Sequence, residues 1–123
     1  MWYPAGEGDD ATAAAVAKAI QQSFPYVRAF MSFDRFGFHF LASMQPLPET
    51  PSSVLASRMP LAAVPDFLEW GPESTVESQF ERVVSQERTM RQILDRAPKI
   101  QAIRDDGPIN EYYLLRAWFQ LDR

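Results

Sequence analysis

Apolar residues recur at helical spacing near the start of the chain. Val16, Ile20 and Phe24 follow one another at intervals of four, and the positions between them are mostly small or polar. This period predicts an amphipathic helix from about Asp10 to Ser23. An aspartate suits the first turn of a helix, and Pro25 cannot continue one.

A second helical pattern begins at the capping-box sequence Ser74-Thr75-Val76-Glu77. The pattern predicts one long helix from Ser74 to about Arg96. Its apolar stripe consists of Val76, Phe80, Val83, Met90 and Leu94. Two pairs of opposite charge, Glu87 with Arg91 and Arg91 with Asp95, have the i,i+4 spacing that stabilises a helix surface.

Between these helices, two runs rich in aromatic residues, "YVRAFMSF" and "FGFHFLAS", flank Asp34-Arg35. The pattern predicts a tight β-hairpin. Within the second run, one face consists of Phe36, Phe38 and Phe40, and the other of Gly37, His39 and Leu41. Since both faces carry apolar groups, we expect protein to cover both. A two-stranded ribbon is only marginally stable, so we also expect a neighbouring strand.

The proline-punctuated stretch after the hairpin predicts short helices at Ser52–Arg58 and Leu61–Trp70. With the two helices above, this makes about four helices and an antiparallel β-hairpin, which alone would be an α+β arrangement. At 123 residues, the chain is one domain or a piece of one.

Composition narrows the classes of function. The formal net charge is −4 and the basic residues are scattered, which argues against a nucleic-acid partner and against direct membrane contact by this segment. No cysteine is present, so disulfides and thiol chemistry are excluded. With a single histidine and no cysteine, we expect no metal site. A cytoplasmic location fits this composition.

Two groups could carry acid–base chemistry. Asp105-Asp106 precedes Gly-Pro, where turn or cap chemistry is the commoner role, and neighbouring turn residues generally point apart. His39 could act as a general base, but we expect a partly buried structural histidine. A small hydrolase or isomerase built on these three residues is the weakest of the functional alternatives.

Two further motifs have structural explanations. Asn110 and Glu111 fit the start of a C-terminal helix, although residues 111–119 could also form a strand. Gly6 and Gly8 lack the third glycine, and the full preceding strand, of a dinucleotide-binding loop.

The order of these motifs resembles the C-terminal portion of the bacterial spermidine synthase-like proteins, in the polyamine aminopropyltransferase family. The most specific piece is "DDGPINEYYLLR", which is similar to the "DD-[RH]-P-x-NEY-x-LLR" close of that family. "EGDDATAAAVAKAIQQSFPYV" and "FGFHFLAS" extend the resemblance over nearly the whole chain. The sequence departs from the family pattern at Gly107, where a basic residue is usual.

This resemblance implies an α/β fold, the C-terminal part of a Rossmann-like methyltransferase fold in which the hairpin is the antiparallel edge of the sheet. Residues 1–123 would form a single partial domain. The family uses decarboxylated S-adenosylmethionine as donor substrate, and its donor-binding and catalytic residues lie in an N-terminal half that does not match any part of this sequence. The chain alone would then be inactive, and "RDDGPINEYYLLR" would fasten a terminal segment.

Three residues are candidates for facing the substrate: Trp2, Tyr3 and Glu7, which follow the carboxyl end of a strand. We expect no catalytic residue within the chain.

The partner of this chain would be the missing N-terminal half, or a second copy paired through the strand edge. An alternative is an independent interaction module that pairs through the exposed hairpin edge. The parent protein could be anchored in a membrane, with this segment as its soluble part.

Overall fold

The computed structural model of the protein describes residues 2–4 (backbone), 10–32, 35, 37–69 and 71–104. These residues form a mixed α/β structure. Its strands are β1 (Trp2–Pro4), β2 (Tyr26–Met31), β3 (Gly37–Ser43) and β4 (Glu87–Arg88). Its helices are α1 (Asp10–Ser23), α2 (Ser52–Arg58), a 3₁₀ helix (Leu61–Ala63), α3 (Val64–Glu69), α4 (Val76–Ser85) and α5 (Met90–Leu94).

The four strands form one sheet in the order β1-β3-β2-β4, and every neighbouring pair is antiparallel. The hairpin prediction was therefore incomplete, because β1 and β4 extend the pair formed by β2 and β3. Since β1 and β2 both run against β3, they are parallel to each other. Helix α1 connects them, as a crossover between parallel strands requires.

One face of the sheet holds the core. Phe38 and Phe40 of β3 are each 2% exposed, and Ala29 of β2 is fully buried. They pack against α1 and against Ile93 of α5. Each fully buried phenylalanine contributes about 1.5–3 kcal/mol relative to an exposed one.

Helix α1 matches the predicted bounds, but its burial differs from a simple stripe. Every residue from Ala11 to Ala17 is buried, whereas Phe24, predicted to belong to the apolar face, is 37% exposed. Alanine side chains allow other elements to approach the helix closely on all sides. The first half of α1 is therefore enclosed, and its last three residues, Gln21 to Ser23, are exposed.

The opposite face of the sheet is open over β3. His39 is exposed and Leu41 is 49% exposed, so the expectation that protein covers both faces was wrong there. The expected partly buried environment of His39 was wrong for the same reason. Phe30 of the adjacent strand is nevertheless 7% exposed. On this face, other parts of the protein therefore cover Phe30 of β2 but do not cover His39 and Leu41 of β3.

The predicted long helix from Ser74 to Arg96 is wrong. The chain leaves helix α4 at Ser85, forms the short strand β4, and re-enters a helix at Met90. Thr89 caps α5 in a full capping box with Gln92. Pairing of Glu87 and Arg88 with β2 replaces the helical hydrogen bonds that the sequence pattern predicted.

The region from α2 to α4 has no buried apolar side chain among its described residues. The predicted helix Ser52–Arg58 is confirmed, and the second one divides into the 3₁₀ helix and α3. The rings of Phe67 and Phe80 lie 4.7 Å apart between α3 and α4. The division of the Ser74–Arg96 prediction into α4 and α5 explains why the described residues contain five α-helices where about four were predicted.

Candidate functional site

The topology identifies one edge of the sheet as the place for a ligand. Because β1 and β2 are parallel, their carboxyl ends, at Pro4 and Met31, lie at the same edge. Helix α1 also begins there, after β1. Open α/β sheets bind ligands outside the carboxyl ends of their strands, so this edge is the candidate site.

The connection between β2 and β3 also lies at this edge, where hydrogen bonds join Ser32, Arg35 and Gly37. The backbone N–H of Ser32 donates to the Gly37 carbonyl at 2.8 Å, and the Gly37 N–H donates to Ser32 Oγ at 3.0 Å. The Arg35 N–H donates to the Ser32 carbonyl at 2.9 Å. Arg35 has φ 61°, a left-handed conformation that non-glycine residues seldom adopt. Ser32 thus organises the turn from a nearly buried position.

At the start of α1, Asp10 accepts a hydrogen bond from Arg96 at 3.0 Å. The carboxylate also lies in the first turn of the helix, at the positive end of the helix dipole. Arg96 follows α5, so the pair joins the two helices that cover the core face. Because the Asp10 carboxylate is paired with Arg96, we assign it a structural role.

Two of the residues predicted to face a substrate lie on β1. Trp2 is paired with His39 and Tyr3 with Phe38. The third, Glu7, lies outside the described residues. At this edge, the structure describes residues of β2, β3 and α1 with their side chains. The assignment of Trp2, Tyr3 and Glu7 to a substrate site stays a prediction.

The acid–base candidates are not brought together within the described part of the chain. His39 is exposed on the open face of the sheet, with Phe30 as its neighbour on β2. Asp105, Asp106, Asn110 and Glu111 lie outside the described residues. In the part of the chain that the structure describes, no group of three or more His, Asp or Glu residues is arranged to hold a metal ion.

Sequence reasoning missed a charged cluster on the open face. Arg28 Nε and Nη2 donate to the two carboxylate oxygens of Glu87 at 2.8 and 2.7 Å, and Nη1 donates to the Pro48 carbonyl at 3.1 Å. The Arg28 guanidinium also lies 5.1 Å from the centre of the Phe30 ring. An arginine within an aromatic strand was the available signal, but Glu87 was assigned to a helix surface.

The electrostatics of this cluster are those of a mutual ion pair. Hydrogen bonding to Arg28 lowers the pKa of Glu87, and hydrogen bonding to Glu87 raises the pKa of Arg28. A bidentate guanidinium–carboxylate pair has both partners occupied. The cluster therefore fastens β4 and the segment at Pro48 to β2, and offers neither a free base nor a free anion site.

A small pocket lies between α1 and the segment that follows α5. It has a volume of about 160 Å³ and is lined by Lys18, Leu94, Asp95, Ala97, Pro98 and Ile100. Lys18 Nζ donates to the Ile100 carbonyl at 2.9 Å. Small-molecule sites usually measure about 300–1,000 Å³, so this pocket is too small for a nucleotide donor.

Comparison with known proteins adds no family. No protein-family model matches the chain, and no curated protein or solved structure matches it. Among the described helices, none combines the length and apolar character needed to cross a bilayer. Membership of the spermidine synthase-like proteins therefore stays a prediction.

Proposed function

We propose that these 123 residues are the C-terminal portion of a spermidine synthase-like aminopropyltransferase domain with a Rossmann-like methyltransferase fold. The observation that carries this proposal is the arrangement of β1, α1, β2 and β3. The resemblance implies a strand, a following helix and then a hairpin that forms the antiparallel edge of the sheet, and two parallel strands joined by a helix, with β3 antiparallel to both, support it. The motif "DDGPINEYYLLR" supports the same assignment.

The chemistry of this family sets out what the chain would need in order to act. An amine nitrogen attacks the carbon beside the sulfonium of decarboxylated S-adenosylmethionine, a C–N bond forms, and the C–S bond breaks. The amine then loses a proton to a base. This displacement requires a held donor, an aligned acceptor and that base.

The described residues offer no set of groups suited to those tasks. Asp10 and Glu87 are engaged by arginines, and the pocket at Lys18 is small. We therefore infer that the donor-binding and catalytic groups belong to an N-terminal half, and that this chain is inactive alone. The same assignment includes a cytoplasmic location, with this segment as the soluble part of a membrane-anchored parent protein.

The proposal is tested by calorimetry with decarboxylated S-adenosylmethionine. The 123-residue chain by itself should release or absorb no binding heat. The chain joined to the N-terminal half encoded directly upstream should bind the donor stoichiometrically. Micromolar, stoichiometric binding to the 123 residues alone would contradict the proposal, as would an upstream sequence that encodes no α/β half.

An alternative function is an independent interaction module that pairs through a strand edge. The structure changes where such pairing could occur, because β1 and β4 occupy parts of both hairpin edges. Sedimentation across a concentration series separates the two functions. A monomer at all concentrations would count against the interaction module, and a self-associating chain would favour it.

A further inference from the structure

The connection between β3 and α2 contains a short run of prolines. Pro46, Pro48 and Pro51 lie within residues 46–51, which belong to no helix or strand. We call residues 46–51 the proline segment. Proline fixes its own φ near −65° and restricts the preceding residue to extended conformations. Glu49 is therefore the only residue of the proline segment whose backbone these prolines do not restrict.

The exposure of the proline segment follows the period of a polyproline II helix. Leu47 and Thr50, which are three positions apart, are half-buried. Pro48 and Pro51, which have the same separation, are both exposed. A polyproline II helix has three residues per turn, so residues i and i+3 share one edge. At Pro51 the backbone has φ −57° and ψ 145°, close to the polyproline II values. The segment therefore lies against the protein along the edge of Leu47 and presents the edge of Pro48 to solvent.

Hydrogen bonds at two points hold the proline segment in place. Arg28 Nη1 donates to the Pro48 carbonyl at 3.1 Å, and Arg28 is itself fixed by two hydrogen bonds to Glu87. The Pro51 carbonyl accepts two backbone hydrogen bonds at 3.0 Å from α2. The segment is therefore ordered before any partner binds. A partner that recognises this conformation loses little free energy in ordering it.

The exposed prolines have the spacing that polyproline II-binding domains recognise. These domains bind P-x-x-P segments in grooves lined by aromatic side chains. The two prolines of such a segment lie one turn apart, about 9 Å along the helix axis at a rise of about 3.1 Å per residue. Pro48 and Pro51 have this spacing in the sequence, and both are exposed.

A purely structural role accounts for only part of this arrangement. Prolines that fix a connection need only restrict the backbone, and that role does not require their rings to be exposed. In the proline segment, Leu47 and Thr50 form the half-buried edge, and the prolines lie outside it. The exposed edge therefore remains available to a second molecule.

We propose that Pro48 and Pro51 form a docking site for a separate protein domain with an aromatic-lined groove. This inference goes beyond the proposed function and does not depend on it, because it needs only the connection between β3 and α2. It adds the place on the chain where a partner binds and the kind of groove that the partner carries.

The first test measures the conformation of the proline segment by nuclear magnetic resonance. Leu47, Glu49 and Thr50 carry the backbone N–H groups of the segment, so their coupling constants report φ. We expect φ near about −75° at all three residues. Values averaged over several conformations would overturn the inference, because the segment would then not be ordered in advance.

The second test titrates the isotope-labelled chain of 123 residues with isolated SH3, WW and EVH1 domains. With at least one domain, the amide signals of Leu47, Glu49 and Thr50 should shift and saturate, with a dissociation constant below about 1 mM. Pro48→Ala should weaken this binding at least about tenfold. Binding by none of the three domains would overturn the inference.

Pro60→Ala is the matched control for this titration. Pro60 is also exposed and extended, with φ −60° and ψ 133°, and it also precedes a helix. No proline lies three positions before or after it. Pro60→Ala should therefore leave binding within about twofold, and an equal loss in both variants would contradict the inference. Circular dichroism checks that each variant is folded, and Pro51→Ala replaces Pro48→Ala if the latter is not.

A second copy of the chain as partner would give a different result. Phe24 and Tyr26 are 37 and 42% exposed, so another copy could offer aromatic side chains to the prolines. Sedimentation would then show a dimer without any added domain, and Pro48→Ala would dissociate it. That outcome would contradict a separate domain as the partner. A chain that stays monomeric until a domain is added would support it.

Discussion

Two regions of this molecule are stabilised in different ways. In the region formed by the sheet, α1 and α5, apolar side chains such as Phe40 and Ile93 are almost completely buried. In the region from α2 to α4, no described apolar residue is buried, and the side chain that is buried there is the polar one of Gln79. The first region is held by a dry core and the second by specific contacts between partly exposed groups.

The contacts around Gln79 show how the second region is held together. Gln79 Oε1 accepts a hydrogen bond from the Glu73 N–H at 3.3 Å, and the Gln79 amide lies directly against Gly71, where a Cβ would overlap it. Glu73 in turn accepts a hydrogen bond from Arg82 at 3.0 Å. Since such partly exposed polar contacts contribute little each, we expect this region to open before the core does.

The largest expected effect comes from breaking the core. Phe40→Ala should lower the free energy of unfolding by about 3–5 kcal/mol, because it leaves a cavity among the most buried side chains. Urea denaturation measures the change. Leu61→Ala is the control and should change stability by less than about 0.5 kcal/mol. A small effect of Phe40→Ala would show that the two regions do not differ as described.

A smaller effect is expected from filling the space at Gly71. Gly71→Ala should cost about 1–2 kcal/mol, because the added methyl group pushes the end of the flexible Gln79 side chain out of its buried position and breaks its hydrogen bond with the Glu73 N–H. Hydrogen exchange should show the loss in α2–α4 and little change in β2 and β3. In a Gln79→Ala background the same substitution should cost less, which a double-mutant cycle detects. Equal costs in both backgrounds would exclude the contact as the cause.

Next in size is the cap that starts α5. Thr89 Oγ1 accepts a hydrogen bond from the Gln92 N–H, and the Gln92 side chain accepts one from the Thr89 N–H. Thr89→Ala should cost about 1 kcal/mol in thermal or urea unfolding. Thr89→Ser keeps the hydroxyl oxygen and should cost clearly less. If the two variants are equally stable, the cap does not stabilise α5.

The smallest effect concerns the Arg28–Glu87 ion pair, which joins β2 and β4 within the sheet region. Because Arg28 lowers the folded-state pKa of Glu87 from its usual 4.5, the pair stabilises the fold above that value. This stability is lost as the pH falls through the folded-state pKa. The pair is partly exposed, so the loss should be about 1 kcal/mol or less. Glu87→Gln should remove this part of the acid dependence below pH 4.5. An unchanged pH profile would contradict the assignment.

The interruption of the predicted long helix shows why part of the fold could not be read from the sequence. Both halves of the Ser74–Arg96 pattern have helical spacing, and the Thr89-x-x-Gln92 capping box was present in the sequence. What ended α4 is the pairing of Glu87 and Arg88 with β2 and the ion pair with Arg28, residues almost sixty positions away. Local periodicity contains no information about such a partner.

The candidate site, like the helices, could be predicted only in part from the sequence. The sequence analysis expected Trp2, Tyr3 and Glu7 to follow the carboxyl end of a strand, but Trp2 and Tyr3 lie within β1 itself. Exposure of His39 depended on which face of the sheet α1 and α5 cover, and alternation alone does not distinguish the faces. Glu7 and Asp105 lie outside the described residues, so their roles stay predictions.

The amino-acid sequence by itself determined α1, α2 and the two central strands, because helical and strand periods arise from neighbouring residues. The tertiary structure decided the strand order β1-β3-β2-β4, the short strand β4 and the exposure of His39 and Leu41 on one face of the sheet. These features depend on pairing between segments far apart in the chain. A backbone can satisfy its hydrogen bonds in a helix or in a ladder, and only the available partner selects between them.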